Sequence, residues 1–218
     1  ALGQSLRPHR VDGVIFDSER IFNIAWRTVG GDMHLDGIEE ALKSCVGCND
    51  TDTRAYLQGV YGASFNYGQF IGDVERVFEE LTAVDGLPLK TGVKELLTWP
   101  RDSSVSIGLA TSTTRNNAEH HLKIAGLHPF FKSIVTGDMI KHGKPDPEIY
   151  LLACSRLGAV PESCFAIEDS PNGIKSAQSA GLRVIMVPDL IAPTPELEKL
   201  LHSKFDSLLD VKAYFETL

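Results

Sequence analysis

The sequence predicts an α/β fold: a doubly wound parallel sheet with an inserted helical cap domain. Two patterns predict it. From residue 104 onward, short apolar runs alternate with helical repeats, the mark of parallel βαβ units with helices on both faces. Between residues 18 and 88, four helical patterns follow one another with no strand pattern between them. The expected division is therefore an α/β core from 1–17 and 89–218, with 18–88 as the insert.

In chain order, the insert reads as helices over 21–29, 37–44, 50–61 and 67–81. The stretch Gly30-Gly31-Asp32-Met33-His34-Leu35 is expected to interrupt the first helical region, and Leu87-Pro88-Leu89-Lys90 to form the return hinge. Trp99 to Ser104 stands in place of the usual helix end and polar turn. The core then follows with a strand at 105–110 and a helix at 116–125 closed by Gly126, a glycine being the usual residue just past a helix end. A strand at 133–136 and a helix at 146–157 come next. Pro147 stands at that helix's start, where its missing N–H costs nothing. A strand at 164–167, a helix at 172–180 stopped by Gly181 and a strand at 183–187 complete the repeat.

A chain of 218 residues can bury a substantial core. The formal charge of -8 argues against nucleic acid, whose binders carry a basic face. Small anions are not excluded, since a few local cations or a metal can hold them. No run of eighteen apolar residues suggests a membrane helix, and residues 1–10 lack the apolar stretch of a signal peptide. A cytoplasmic protein without a membrane partner is the expectation. Of the four cysteines, Cys45 and Cys48 form a C-x-x-C, with Cys154 and Cys164 far off. Zinc sites of this type want a second close pair, so buried thiols are the better reading.

The most informative local feature is Glu168-Asp169-Ser170-Pro171-Asn172-Gly173, an acidic pair after an apolar run and before a helix start. Adjacent carboxylates at a strand's carboxyl end repel unless a cation sits between them, and open α/β sheets place ligands at that edge. Mg²⁺ suits such a site, being a hard ion that takes one or two carboxylates and a phosphate. The alternative is a solvated turn with Asp169 capping the next helix. Three other features fall near successive strand ends: Asp12-Gly13-Val14-Ile15-Phe16-Asp17-Ser18-Glu19, Leu109-Ala110-Thr111-Ser112, and Gly143-Lys144-Pro145-Asp146-Pro147. Carboxylates with a metal, a hydroxyl for a phosphate oxygen and a lysine to offset charge suggest phosphoryl transfer. Each residue alone has an ordinary reading as a turn, strand end or surface lysine; their joint order carries the functional one.

With these four motifs in this order, the chain resembles the haloacid dehalogenase superfamily, in its capped phosphatase and β-phosphoglucomutase-like branch. The resemblance implies that Asp12 is the general acid/base and a metal ligand, and that Thr111 donates to the transferring phosphoryl group. It implies that Lys144 pairs with nucleophile and phosphate, and that Glu168 and Asp169 hold Mg²⁺. Ser112 and Thr113 are the adjoining candidates for substrate binding. The family's nucleophile, an aspartate two residues before the acid/base, is replaced by Arg10, which cannot attack phosphorus. Its lead, Ser5 to Arg10, carries a proline and two arginines, unlike a buried central strand.

The resemblance thus implies a Mg²⁺-dependent hydrolase of a small phosphorylated metabolite, working through an aspartyl-phosphate, with this chain's turnover in question at Arg10. A sugar phosphomutase and a catalytically dead phosphate-binding or interaction protein are the alternatives. In the dead version, Arg10 would pair with Glu168 and Asp169 in place of the metal. Against the mutase, Phe22 stands where that type has a cap histidine, and no arginine lies near Asn49-Asp50. Trp26, Arg54 and Arg76 are candidate substrate selectors, or else packing and solvated face. A monomer or weak homodimer is expected.

Overall fold

A computed structural model describes residues 13–45, 50–99, 105–189 and 192–218. Arg10, Asp12, Cys48, Asn49 and the stretch 100–104 lie outside them. The described chain divides into two compact units, one of Ser18–Leu87, the other of Pro88–Leu218 with the segment up to Asp17.

The first unit is helical throughout: α1 (Ser18–Asp32), α2 (Ile38–Ser44), α3 (Asp50–Tyr61) and α4 (Tyr67–Thr82). Its core forms where the apolar faces of α1 and α4 meet. Trp26 stands edge-on to Phe70 at 4.8 Å, and Phe22 packs near both Trp26 and Phe78. Asn66 starts α4 by accepting from the Gln69 N–H, satisfying one of the orphan donors of a first turn.

The interruption expected at 30–35 begins later, after Asp32. Helix α1 runs through Gly30 and Gly31 to Asp32. It ends with His34 in a left-handed conformation (φ 54°), while the His34 and Leu35 N–H groups donate to Gly31 and Gly30. This is a closed C-terminal cap, with histidine in the position glycine usually takes. Gly30 serves packing instead: a Cβ there would lie 2.3 Å from Ile38 Cγ1.

The second unit is α/β. After α5 (Val93–Thr98) come β1 (Gly108–Thr111), α6 (Arg115–Ile124), β2 (Ser133–Thr136), α7 (Glu148–Leu157), β3 (Phe165–Glu168), α8 (Pro171–Ser179) and β4 (Arg183–Met186). The chain closes with α9 (Pro195–Glu198), β5 (Ser203–Lys204) and α10 (Leu208–Phe215). Among the described residues the strands form two parallel ladders, β1-β2 and β3-β4-β5. Val135, Ile149, Ala166, Ile174, Ala177, Val184 and Met186 meet in one buried cluster between strands and helices. Two chain crossings lie side by side: Phe16 bridges Leu89 in antiparallel fashion, Asp17 N–H donates to Pro88 and Lys90 N–H to Ile15.

Two boundaries differ from the expected ones. Strand β1 begins at Gly108 rather than 105: its ladder with β2 opens with Gly108 opposite Ser133, just after the Ile107 carbonyl accepts from Lys132 N–H. Helix α7 begins at Glu148 rather than 146. Pro147 takes the N-cap position, and the Asp146 carboxylate accepts from the Glu148 N–H. Helix α5, α9, β5 and α10 were not legible as elements; β5 is two residues long, and α9 four.

Candidate active site

Strand β3 delivers Glu168 at its last position. Glu168 is 4% exposed and Asp169 7%. The turn that follows is made by Ser170, not Asp169: the Ser170 hydroxyl caps α8 by accepting from Gly173 N–H. The alternative reading, with Asp169 as the helix cap, is not met: Ser170 takes that role. Pro171 occupies the first helical position, where its lack of N–H is harmless. Gly173 is required by contact, since a Cβ there would fall 1.9 Å from Glu168 Oε2.

Lys144 joins two strand ends. Its Nζ donates to Glu168 Oε1 at 2.5 Å and to the Ala110 carbonyl at 3.2 Å. The carboxyl ends of β1 and β3 therefore meet at one ammonium. The loop that carries the lysine is pinned from below, where the Ser176 hydroxyl of α8 donates to the Asp146 carbonyl at 2.6 Å. Two further hydroxyls reach the same carboxylate. Tyr150 donates to Glu168 Oε1 and Ser170 to Oε2 at 3.2 Å. Burial works to raise the Glu168 carboxyl, while the Lys144 charge and the hydrogen bonds from Lys144, Tyr150 and Ser170 pull the other way. The cation and its three donors prevail, and the group lies below its ordinary range.

Thr111 ends β1 and is 3% exposed, opposite Thr136 of β2. Its hydroxyl accepts from Thr113 N–H at 3.4 Å, which folds the next two residues into a tight turn. Ser112 is exposed on that turn and Thr113 is buried. The Thr113 carbonyl accepts from Gly137 N–H at 2.8 Å, and Gly137 must be glycine because a Cβ would stand 2.3 Å from the Ser112 carbonyl. Asp138 buttresses this edge. It accepts from the Thr136 hydroxyl and from Arg115 N–H, which hold its carboxyl below the usual range.

The structure thus brings Lys144 onto Glu168, beside Asp169 and the residue preceding Thr111. Asp12 and Arg10 lie outside the described residues. Tyr150 and Ser170 were missed as carboxylate partners. Tyr150 reads as one more apolar residue of Ile149-Tyr150-Leu151-Leu152, although a buried phenol usually needs an acceptor, and that was the available signal. Among the candidate selectors, Trp26 is 2% exposed and packed in the helical core. Arg54 pairs with Asp50, and Arg76 with Asp73 and Glu80, all on the surface. Cys45 and Cys154 are buried, while Cys164 is partly exposed; all three are free thiols. Burial, with Cys164 beside it, pushes the Cys154 thiol up to about 11.

A second cluster, His142, Asp146 and Glu148, sits close by with its ligand atoms within 4.8 Å of one another. Its hydrogen bonds account for it without an ion. Glu148 accepts from the N–H groups of Lys141 and His142 and lies 3.1 Å from His142 Nδ1. Those backbone donors lower its carboxyl and tie the loop to the start of α7.

The sequence pattern of the haloacid dehalogenase-like hydrolases matches residues 11–187. The chain belongs to that family. Members of it share both sequence and architecture with this chain. The phosphorylated carbohydrates phosphatase of Thermotoga maritima is 34% identical, over 80% of this chain and 81% of that protein. The crystal structure of a putative beta-phosphoglucomutase from Thermotoga maritima superposes with a TM-score of 0.77 at 29% identity, covering 95% of this chain and 96% of the other. A HAD family hydrolase from Deinococcus radiodurans, solved with bound phosphate and sodium, gives a TM-score of 0.80 at 25% identity, covering 95% and 93%. The family's α/β fold is thus this chain's fold, and the four motifs lie within the matched span.

Proposed function

We propose that this chain is a Mg²⁺-dependent phosphatase scaffold for a small phosphate monoester, of the class of phosphorylated carbohydrates. The observation that carries the reading is the Lys144 ammonium, held between the Ala110 carbonyl and Glu168 Oε1, with the buried Asp169 next in the chain. A buried lysine at this point offers positive charge to a phosphoryl group arriving at the ends of β1 and β3. The Thr111 hydroxyl and the turn after it supply hydrogen bonds to its oxygens.

The donor set fits Mg²⁺. Two adjacent buried carboxylates are hard oxygen ligands, and among the described residues three hydrogen bonds reach Glu168, one of them on Oε2. Glu168 and Asp169 would hold the ion together with Asp12, and the ion would supply charge neutralisation at the phosphate. Asp12 is assigned the proton transfer to and from the leaving oxygen. Residues 18–87 are assigned the role of a cap that excludes bulky substrates and water. The carbohydrate class rests on the activity for which the Thermotoga maritima phosphatase is named.

Arg10 stands where the nucleophilic aspartate belongs, so the chain as it stands forms no aspartyl-phosphate in this reading. This reading keeps the rest of the site, the metal ligands included, and so differs from the alternative in which Arg10 pairs with Glu168 and Asp169 in place of the metal. The mutase reading is disfavoured by Phe22, which is 3% exposed and spent on packing. Hydrolysis of p-nitrophenyl phosphate by this chain and by Arg10→Asp, each with Mg²⁺ and with EDTA, tests the proposal. Mg²⁺-dependent turnover in the variant alone supports it. Turnover in neither would overturn the phosphatase scaffold, and turnover in the unaltered chain would overturn the role given to Arg10.

A further inference from the structure

Glu168 is held by more than the lysine. Tyr150, a residue 7% exposed, reaches it from α7, its hydroxyl donating to Oε1. Lys144 donates to that same oxygen, and its Nζ lies 5.0 Å from the centre of the Tyr150 ring. A carboxylate has about four lone-pair sites, two per oxygen. Lys144 and Tyr150 therefore fill Oε1. Ser170 takes one site on Oε2, and among the described residues one remains. Rotation of the carboxylate is opposed as well, because Oε2 lies against the first turn of α8, where even a Cβ on Gly173 would approach to 1.9 Å.

We infer that Tyr150 is a positioning residue that closes Glu168 Oε1 to metal, leaving Oε2 as a single ligand atom and thereby favouring Mg²⁺ over Ca²⁺. The inference rests on the Mg²⁺ reading of Glu168 and Asp169 given above and deepens it. The physical reason is coordination geometry. Mg²⁺ demands near-octahedral ligands at about 2.0–2.1 Å, which single carboxylate oxygens supply. Ca²⁺ takes six to eight oxygens at about 2.3–2.6 Å and readily accepts both oxygens of one carboxylate. With Oε1 occupied by two donors, that bidentate mode is denied at Glu168. A purely structural tyrosine, present only to fill the core, predicts no change in the ratio of the two affinities.

Tyr150→Phe tests this, because it keeps the ring and its contact with Lys144 and removes only the hydroxyl. Mn²⁺ binding to the full chain is followed by water-proton relaxation, and Mg²⁺ or Ca²⁺ is used to displace it. Loss of an outer hydrogen-bond partner typically changes metal affinity by about 10–100-fold. The expected result is Mg²⁺ weakened about tenfold in Tyr150→Phe, with Ca²⁺ unchanged or tighter. Because the ratio is internal to one sample, a smaller folded fraction does not alter it. Glu168→Gln assigns the binding to this site. If the unaltered chain binds Mn²⁺ and Glu168→Gln does not, yet Tyr150→Phe keeps the Mg²⁺/Ca²⁺ ratio within twofold, the role of Tyr150 is overturned and the metal site stands. If the unaltered chain binds no Mn²⁺, or Glu168→Gln binds it as well, the metal reading and the inference fall together.

Discussion

Replacing Lys144 by methionine keeps the length of the side chain and removes the charge that faces Glu168. The lysine side chain is 13% exposed and that of Glu168 5%, so the pair is screened little by solvent. Removing one partner of such a pair leaves a carboxylate in a poorly hydrated place, a change that costs about 3–5 kcal/mol. Tyr150 and Ser170 still donate to Glu168, which puts the expected loss near the lower end, about 3 kcal/mol at pH 7.5. For a chain of this size that is a fall in thermal midpoint of about 6–12 °C.

The pH dependence is the sharper test. In the unaltered chain the folded-state pKa of Glu168 lies below its ordinary 4.5. The stability it contributes is present above that value and is lost as pH falls through the folded pKa. In Lys144→Met, burial acts without the opposing cation and the folded pKa rises above 4.5. The variant then gains relative stability as pH falls, because the folded state takes up a proton that relieves the buried charge. Urea melts at pH 5 and pH 7.5 should show the larger loss at pH 7.5. Lys144→Met/Glu168→Gln should lose clearly less than the sum of the two single variants. Equal losses at both pH values, or a loss below about 1 kcal/mol as in exposed pairs, would refute the account of a buried, coupled pair.

Three other outcomes follow from the packing. Gly173→Ala should displace the Glu168 carboxylate, since the new Cβ would sit 1.9 Å from Oε2; thermal melts should show a loss of about 1–3 kcal/mol. Its metal affinity, read by Mn²⁺ relaxation, should fall as well. Gly30→Ala should destabilise by a similar amount of about 1–3 kcal/mol despite alanine's better helix propensity, because Ile38 Cγ1 lies 2.3 Å from the new atom; a melting midpoint at or above that of the unaltered chain would refute the close packing of α1 on α2. Glu39→Gln removes an exposed ion pair with Arg27 and should leave the melting midpoint unchanged, because solvent screens such pairs.

Periodicity alone placed the all-helical unit and the strand–helix alternation that follows it, because the buried stripe of a helix and the short apolar run of a strand are local facts. It also placed Lys144, Glu168 and Asp169 in loops and at a strand end, where their chemistry could be read. Where it failed, the deciding contact came from elsewhere in the chain. The stretch Gly30-Gly31 resembles a helix stop, yet it lies inside α1; the glycine at 30 answers to Ile38 of the next helix, which occupies the space a side chain would fill. Strand β1 starts three residues late, where its ladder opens with Gly108 opposite Ser133 of β2.

The acidic pair and the lysine were legible as candidates, and the motifs that hold them fall within the matched span of 11–187. The tertiary structure alone brought Lys144, 24 residues from Glu168, onto that carboxylate, along with Tyr150 from α7. It also gave the capping role to Ser170. Sequence determined which groups this protein has to work with; the tertiary structure decided which oxygen each of them faces, because a hydrogen bond depends on distances that no spacing along the chain records.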